Sequence, residues 1–288
     1  MVLRAARLGP TLEEERGYWR AGWRWVAGMD EVGRGAWAGP VSVGVALCRP
    51  PALPGSPGSA VPGSDPEVLP EGLDDSKRLS EDRRERIFGP VAAWCAAWAV
   101  GHASPQECDQ LGMRGALGLA AHRALGALGS VPGVVLLDGP TDFVSAAHPG
   151  GPGGSLVVPV VGGDRRCATI AAASIVAKVA RDRLMRSTAL HFPAYDFERN
   201  KGYPSPQHRR ALAGYGVSAI HRVSWSYVED LPFGPGRAAQ RPEAQPAAGA
   251  AGSLGSPRTL SPTMLRRISS DPPATRRPGT PSTYSAQA

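Results

Sequence analysis

The chain has 288 residues, a formal net charge of +7 and four cysteines, which together exclude several classes of protein. Its length allows one large domain or two small ones. The cysteines lack the spacing of a zinc site and indicate reduced thiols in a cytoplasmic protein. No run is long and apolar enough to span a membrane, and the first residues lack the apolar stretch of a secretory signal.

The positive charge does not by itself predict a nucleic-acid surface, because most of it lies near the C-terminus. Residues 233–288 contain seven arginines against Glu243 and Asp271, a net charge of +5 that leaves +2 for residues 1–232. The same C-terminal segment is rich in Ala, Pro, Ser and Gly. It holds too little apolar surface to offset the entropy lost on folding, so we predict a disordered basic tail.

The first predicted elements are a polar lead-in, residues 1–24, and a β-hairpin. The lead-in contains a short predicted helix over 12–20. Strands predicted over 25–29 and 41–47 are joined by glycine-rich residues and form the hairpin. A Pro/Gly/Ser-rich segment at about 50–72 follows, and its composition predicts a mobile loop.

Helices and short buried strands alternate through the rest of the predicted catalytic domain, residues 25–232. Ser80 and Ser104 are predicted N-caps, and Ser104 is followed by the proline and glutamate of a capping box. The predicted elements are a helix over 81–88, a strand over 94–102, helices over 105–129, strands over 134–137 and 156–161, a helix over 167–189 and a helix after Ser205. This alternation indicates an α/β domain with a central mixed β-sheet flanked by helices, followed by a C-terminal helical part.

Acidic residues stand at the ends of three predicted strands: Asp30-Glu31, Asp138 and Asp164. Strand ends of α/β sheets are where functional residues collect. Carboxylates without Cys or His form a hard oxygen ligand set, which suits Mg²⁺ or Mn²⁺. Neighbouring residues of a regular strand point to opposite faces, so Asp30 and Glu31 share a site only if the strand ends or bulges, or if the longer Glu31 side chain reaches round.

A second set of residues is a candidate for contacts with the phosphate or sugar of a nucleic acid. Gly33 and Gly35 let the backbone approach a ligand, and successive N–H groups can bind phosphate or hydroxyl oxygen. Only three of the 32 basic residues are lysines. The candidates for phosphate contacts are Arg34, Ser76, Lys77, Lys178 and Lys201. For each of them a surface ion pair is the alternative.

Five ordered blocks over residues 26–229 resemble the ribonuclease HII family. The blocks are AGMDEVGRG at 27–35 with AGPV at 38–41, DSK at 75–77, LDG at 137–139, GD at 163–164 leading into IAAASIVAKVARDRLM at 170–185, and NKGYP at 200–204 with His208, and His221-Arg222 closes the set. The resemblance implies a ribonuclease H-like fold. It also implies an endonuclease that hydrolyses the RNA strand of RNA–DNA hybrids and cuts 5′ of single ribonucleotides embedded in duplex DNA.

The resemblance also implies site residues and a cofactor. A divalent metal, Mn²⁺ or Mg²⁺, would be held by four carboxylates, which fall on Asp30, Glu31, Asp138 and Asp164. Asp182 is a rival fourth acid, although its helical position favours a pair with Arg186 at i+4. Inspection of the RNA–DNA junction falls on Gly33, Arg34, Gly35 and Tyr203. Two-metal hydrolysis would leave 5′-phosphate and 3′-hydroxyl ends.

The expected partners are RNA–DNA hybrid duplexes and DNA with embedded ribonucleotides, not membranes, and the expected form is a cytoplasmic monomer. Two alternatives stay open. A ribonuclease HIII-type enzyme would carry an N-terminal substrate-binding domain, for which the residues before Asp30 leave no room. A catalytically silent module that binds RNA–DNA hybrids is disfavoured because all the acids are present.

Overall fold

A computed structural model describes residues 9–48, 67–145 and 154–231 of the chain. The predicted disordered tail at 233–288 lies outside the described residues, as does most of the predicted mobile loop at 50–72. The following account concerns the three described ranges.

A five-stranded mixed β-sheet forms the centre of the described fold. Its strands are β1 (Val26–Val32), β2 (Val41–Cys48), β3 (Ala97–Ala103), β4 (Val134–Asp138) and β5 (Leu156–Val160). The strand order is β3-β2-β1-β4-β5. β1, β2 and β3 pair antiparallel, whereas β1, β4 and β5 run parallel. The three parallel strands therefore end at one edge of the sheet, where ligand sites of α/β folds form.

Helices cover both faces of this sheet, as the sequence predicts. The described helices are α1 (Glu13–Arg20), α2 (Glu81–Trp94), α3 (Pro105–Ala127), α4 (Ala168–Ala189), α5 (Phe197–Asn200) and α6 (Pro206–Tyr215). α3 packs on the face that presents Ala27 and Met29, and α4 packs on the opposite face beside Val26 and Ala46. The alternation of β1 thus supplies apolar side chains to two separate core layers.

α4 lies directly on the backbone of the hairpin because two strand positions are glycine. A Cβ atom built on Gly28 would stand 2.1 Å from the carbonyl carbon of Thr169, and one on Gly44 would stand 2.5 Å from the oxygen of Ala173. Neither backbone atom can move aside as a flexible side chain would. This close approach fixes α4, and with it the turn that precedes α4, against β1.

The lead-in is joined to the domain through the start of α4. The predicted helix is present as α1, and its Glu15 is fully buried. The Glu15 carboxylate accepts hydrogen bonds from the Thr169 backbone N–H at 2.9 Å and hydroxyl at 2.7 Å. The N-cap residue Cys167 provides no side-chain bond, so Glu15 caps α4 from another element.

Three element boundaries differ from the predictions by three residues or more. β1 continues through Asp30 and Glu31 to Val32, past its predicted end at residue 29, because it stays paired with β2 there. α2 extends past the predicted end at residue 88 and through Pro90, because Val91 and Trp94 are buried beside α4 and tertiary packing outweighs propensity. β3 consequently begins at Ala97 rather than residue 94. The segment over 105–129 is interrupted at Gly112, whose φ of 66° separates two helical parts as predicted.

The C-terminal helical part forms its own small core. α5, α6 and the end of α4 enclose apolar and aromatic side chains, among them Met185, Tyr195, Phe197 and Leu212. Ala38, which follows the Gly33–Gly35 segment, belongs to the same core. The helical part therefore lies against the segment expected to inspect substrate.

Candidate active site

Four carboxylates meet at the edge where the parallel strands end. Asp30 and Glu31 belong to β1, Asp138 is the last residue of β4, and Asp164 lies in the 3-10 turn Gly163–Arg165 after β5. Glu31, Asp138 and Asp164 each raise the pKa of Asp30 by charge repulsion. The structure thus brings all four predicted acids together, and we call them the carboxylate cluster.

The unequal lengths of β1 and β4 explain how neighbouring Asp30 and Glu31 face one site. β1 pairs with β2 as far as Val32, whereas its pairing with β4 stops at Met29 because β4 ends at Asp138. Glu31 therefore has no paired neighbour on the β4 side of β1. Asp138 raises the pKa of Glu31 by charge repulsion, so Glu31 reaches the same site as the buried Asp30. The longer Glu31 side chain, and not a bulge against β2, accounts for the arrangement.

Burial makes the cluster electrostatically unfavourable as it stands. Asp30 is 3% exposed, and burial is the largest cause that raises its pKa well above the ordinary value, followed by its acidic neighbours. Burial also raises the pKa of Glu31, against the opposing charge of Arg34. Such a site gains from positive charge placed among the carboxylates.

Lys77 supplies part of that charge. Its Nζ lies 3.3 Å from Oδ2 of Asp164, and its backbone N–H donates to Oδ1 of Asp75 at 2.9 Å. Partial burial opposes its charge, but attraction by Asp30, Asp164 and Asp75 raises the pKa of Lys77 overall. The lysine is therefore cationic at neutral pH.

The turn after β5 is tied to the end of β4. Oδ1 of Asp138 accepts from the backbone N–H of Gly163 at 2.8 Å and, more weakly, from that of Asp164 at 3.4 Å. One carboxylate of the cluster thereby orients the loop that carries another. These bonds fix the relative placement of two acids contributed by different strands.

The donor set fits a hard divalent cation. All four side chains offer oxygen, and a 2+ charge would offset the repulsion that raises the pKa of Asp30. Within residues 9–48, 67–145 and 154–231, no three His, Cys, Asp or Glu side chains already stand in an arrangement that could hold a metal ion.

The two segments expected to inspect substrate are joined by a hydrogen bond. The backbone N–H of Gly33 donates to the Tyr203 hydroxyl at 3.1 Å, across 170 residues of sequence. Arg34 lies 3.8 Å from Glu31, so the segment Gly33–Gly35, named here the GRG loop, borders the carboxylate cluster. Residues assigned to recognition and to metal binding are therefore adjacent.

Two buried arginines hold the GRG loop from beneath. Arg222 donates to the carbonyl oxygens of Gly33 at 2.7 Å and Arg34 at 3.0 Å. Arg181 donates to the carbonyl of Pro40 at 2.9 Å and to that of Lys201 at 2.9 Å, which connects both recognition segments. Burial lowers the pKa of Arg181 to about 10, which still leaves it charged at neutral pH.

Neither arginine receives a role from sequence reasoning, although both stand inside the recognised blocks. The available signal is their position: Arg181 lies in the helix that follows Asp164, and Arg222 follows His221. Sequence does not reveal that both side chains are fully buried, that Arg222 donates to carbonyls of the GRG loop, or that Arg181 packs against Gly33 and donates to the carbonyls of Ala38 and Pro40 beyond the loop. Both arginines hold the GRG loop and the residues after it in place.

The candidate phosphate contacts separate into exposed and internal groups. The side chains of Arg34 and Lys77 are 67% and 65% exposed, respectively. Lys178 instead pairs with Asp182 at 2.6 Å. Lys201 is 5% exposed and pairs with Glu81 at 3.3 Å, and Ser76 is buried. Of these candidates, Arg34 and Lys77 are the ones with mostly exposed side chains.

The predicted pairing of Asp182 with Arg186 is wrong. Arg186 pairs with Glu81 and Glu85 of α2, whereas Asp182 pairs with Lys178 and with Arg84 at 3.4 Å. α2 packs beside α4 and offers Glu81 and Glu85 to Arg186 and Arg84 to Asp182, while Lys178 pairs with Asp182 from the preceding turn of α4. Asp182 is thus held in an internal ion network, while Asp164 lies in the carboxylate cluster.

Two further features of the described residues concern membrane-spanning helices and cysteines. No helix in the described ranges is long and apolar enough to cross a membrane. All four cysteines are buried.

Comparison with known proteins identifies the family of the chain. The family model described as Ribonuclease HII matches residues 27–228. Ribonuclease HII of Streptomyces avermitilis is 44% identical over 210 residues, covering 72% of this chain and 79% of the relative. Ribonuclease HII of Paracoccus denitrificans is 43% identical over 225 residues, covering 77% and 94%. The crystal structure of ribonuclease H2 from Pyrococcus horikoshii is 26% identical with a TM-score of 0.54, covering 70% of this chain and 94% of that one. The chain therefore belongs to the ribonuclease HII family of divalent-metal-dependent endoribonucleases, which act on RNA–DNA hybrids.

Proposed function

We propose that this enzyme cuts duplex DNA on the 5′ side of a single embedded ribonucleotide, besides hydrolysing the RNA strand of longer hybrids. The observation that carries the proposal is the hydrogen bond between Gly33 and Tyr203 beside the carboxylate cluster. It joins the GRG loop to the segment that contains Tyr203, next to the carboxylate cluster. One ribonucleotide placed there would contact both segments.

Recognition of the ribonucleotide depends on its 2′-hydroxyl, the group that distinguishes RNA from DNA. Backbone groups of the GRG loop would bond this hydroxyl, and the Tyr203 ring would pack on the neighbouring deoxyribose. Arg222 holds the carbonyls of Gly33 and Arg34 in place before substrate arrives. A loop fixed in advance loses little entropy on binding and positions the sugar closely.

Catalysis would use the carboxylate cluster with Mn²⁺ or Mg²⁺. When bound in pairs, these ions lower the pKa of an attacking water and stabilise the departing oxygen. Asp30, Glu31, Asp138 and Asp164 would hold the ions, and the exposed Lys77 beside Asp164 would bind substrate phosphate. The products would be 5′-phosphate and 3′-hydroxyl ends.

Exposed cations would position the duplex. Arg34 and Lys77 flank the carboxylate cluster, so phosphate oxygens bound by them would lie close to the metal ligands. Lys178, Lys201 and Ser76 would act indirectly, by holding α4 and the segment before Tyr203. We further propose that the enzyme works as a cytoplasmic monomer.

The test uses four labelled duplexes: one with a single ribonucleotide, one with a 2′-O-methyl nucleotide there, one of DNA alone and one long RNA–DNA hybrid. We expect cleavage 5′ of the ribonucleotide and throughout the hybrid's RNA strand, without cleavage of the other two. Product ends carrying 2′,3′-cyclic phosphate would contradict metal-assisted hydrolysis. Binding of the ribonucleotide duplex without any cleavage would instead identify a catalytically silent module.

A further inference from the structure

Two buried histidines face each other behind Tyr203. His208 lies in α6, and His221 lies beyond that helix, in the segment leading to Arg222. Their Nε2 atoms are 2.9 Å apart, and both rings are enclosed by Tyr195 and Phe197. Two nitrogens at this distance require one to donate and the other to accept.

The surrounding bonds fix the direction of donation. The backbone N–H of Ser218 donates to Nδ1 of His221 at 2.8 Å, so this nitrogen must be an acceptor. A neutral His221 then carries its proton on Nε2 and donates to Nε2 of His208. The remaining proton of His208 stands on Nδ1, which donates to the Tyr203 carbonyl at 2.9 Å. We call the chain Ser218, His221 and His208 the histidine relay.

The relay requires both rings to be neutral. Burial lowers the pKa of His208, and the nearby charge of Arg209 on α6 acts in the same direction. Burial and then His208 lower the pKa of His221 to about 3. Tyr195, the titratable group from the facing turn, donates its hydroxyl proton to the Gly216 carbonyl and not to the relay. A proton added to the pair would place two N–H groups against each other.

The segment that leads to Tyr203 has an uncommon backbone conformation. Lys201 and Gly202 are both left-handed, with φ of 52° and 86°. A non-glycine residue in this region is strained and persists only where its surroundings hold it. Trp37 donates its backbone N–H to the Gly202 carbonyl at 2.8 Å, and the relay holds the next carbonyl, that of Tyr203.

We propose that His208 and His221 are positioning residues for ribonucleotide recognition, because their relay fixes the Tyr203 backbone so that its hydroxyl meets the Gly33 N–H. This rests on the proposed function, in which Tyr203 and the GRG loop recognise the sugar. Neither histidine touches substrate; each acts through Tyr203. The class of ligand concerned is the ribonucleotide sugar at an RNA–DNA junction.

The first test is a spectroscopic one on the wild-type protein. Nitrogen-15 NMR of the histidine rings at neutral pH should show His208 protonated on Nδ1 and His221 on Nε2, both neutral. The opposite tautomers, or a charged ring in either position, would overturn the relay. This readout does not depend on activity, so it separates failure of the relay from failure of the proposed function, which the wild-type cleavage assay reports.

The second test compares two variants of His208 in the single-ribonucleotide cleavage assay. His208→Phe fills the aromatic pocket but donates nothing, and it should lower kcat/KM about tenfold, the effect of losing one positioning bond. His208→Asn offers an N–H near the place of Nδ1, and it should recover most of the activity. Equal activity of the two folded variants would overturn the proposal.

A double-variant cycle distinguishes positioning from mere structural support. In a Tyr203→Phe background, which lacks the hydroxyl to be positioned, His208→Phe should reduce kcat/KM less than about twofold further. Thermal unfolding of each protein ensures that all assays are run on folded enzyme. An equal loss in both backgrounds would show that His208 supports the fold generally and does not act through the Tyr203 hydroxyl.

Discussion

Tyr203→Phe isolates the hydrogen bond that joins the two recognition segments. The variant keeps the ring and its contact with Arg181, but leaves the Gly33 N–H, now 3.1 Å from the hydroxyl oxygen, without this acceptor. An unsatisfied, partly buried donor costs about 1–3 kcal/mol. If that cost falls on substrate recognition, kcat/KM for the single-ribonucleotide duplex drops about 5- to 150-fold. Steady-state kinetics on that duplex and on a long RNA–DNA hybrid measure the effect.

The long hybrid and a second tyrosine provide the controls. A hybrid offers many 2′-hydroxyl contacts, so we expect a smaller loss on it than on the single ribonucleotide. Tyr215 is 76% exposed, and Tyr215→Phe should leave both activities unchanged. Equal kcat/KM of Tyr203→Phe and wild type on the single-ribonucleotide duplex would refute the recognition role of the hydroxyl.

Three further changes have defined outcomes. Gly28→Ala forces a Cβ to within 2.1 Å of the Thr169 backbone, and it should lower the free energy of unfolding in urea by about 3 kcal/mol or more. The control Gly126→Ala has open space at its Cβ and should not lower it. Arg34→Ala should weaken duplex binding and reduce the slope of log K against log salt by about one in fluorescence anisotropy; an unchanged slope would argue against a phosphate contact. His221→Gln should flatten the fall of stability with acid, because burial and His208 lower the pKa of His221 to about 3 in the folded protein. The stability contributed by neutral His221 is complete above its unfolded pKa of about 6.5. It is lost by about 1.4 kcal/mol per pH unit as the pH falls from there towards 3. A wild-type slope in that variant would show that His221 does not titrate in this way.

Local sequence signals predict the helix N-caps Ser80, Ser104 and Ser205 and place the acids near the carboxyl ends of the parallel strands. Ser104 and Glu107 form the expected capping box because its bonds span only three residues. The acids converge as expected because parallel strands end at one sheet edge, a property of topology that alternating elements imply. The extent of α2 could not be predicted in the same way, since its passage through Pro90 depends on burial against α4.

Interactions between distant segments account for what sequence reasoning missed. Asp182 pairs with Arg84, 98 residues away in sequence, and Arg222 donates to the Gly33 carbonyl, 189 residues away. Charge spacing on one helix contains no information about either partner. Access of Glu31 to the site likewise depends on three strands, because β4 ends at Asp138 while β1 continues beside β2 to Val32.

Single-turnover cleavage of the ribonucleotide duplex over a range of free Mn²⁺ tests most directly whether the carboxylate cluster holds the catalytic metal. Asp138→Asn keeps the oxygen that accepts from Gly163 but removes a charge, and Asp82→Asn changes an exposed acid of α2 as the control. We predict a loss of more than about a hundredfold for Asp138→Asn, partly recovered at high Mn²⁺, and none for Asp82→Asn. A folded Asp138→Asn enzyme with wild-type rate and Mn²⁺ dependence would contradict the assignment of the site.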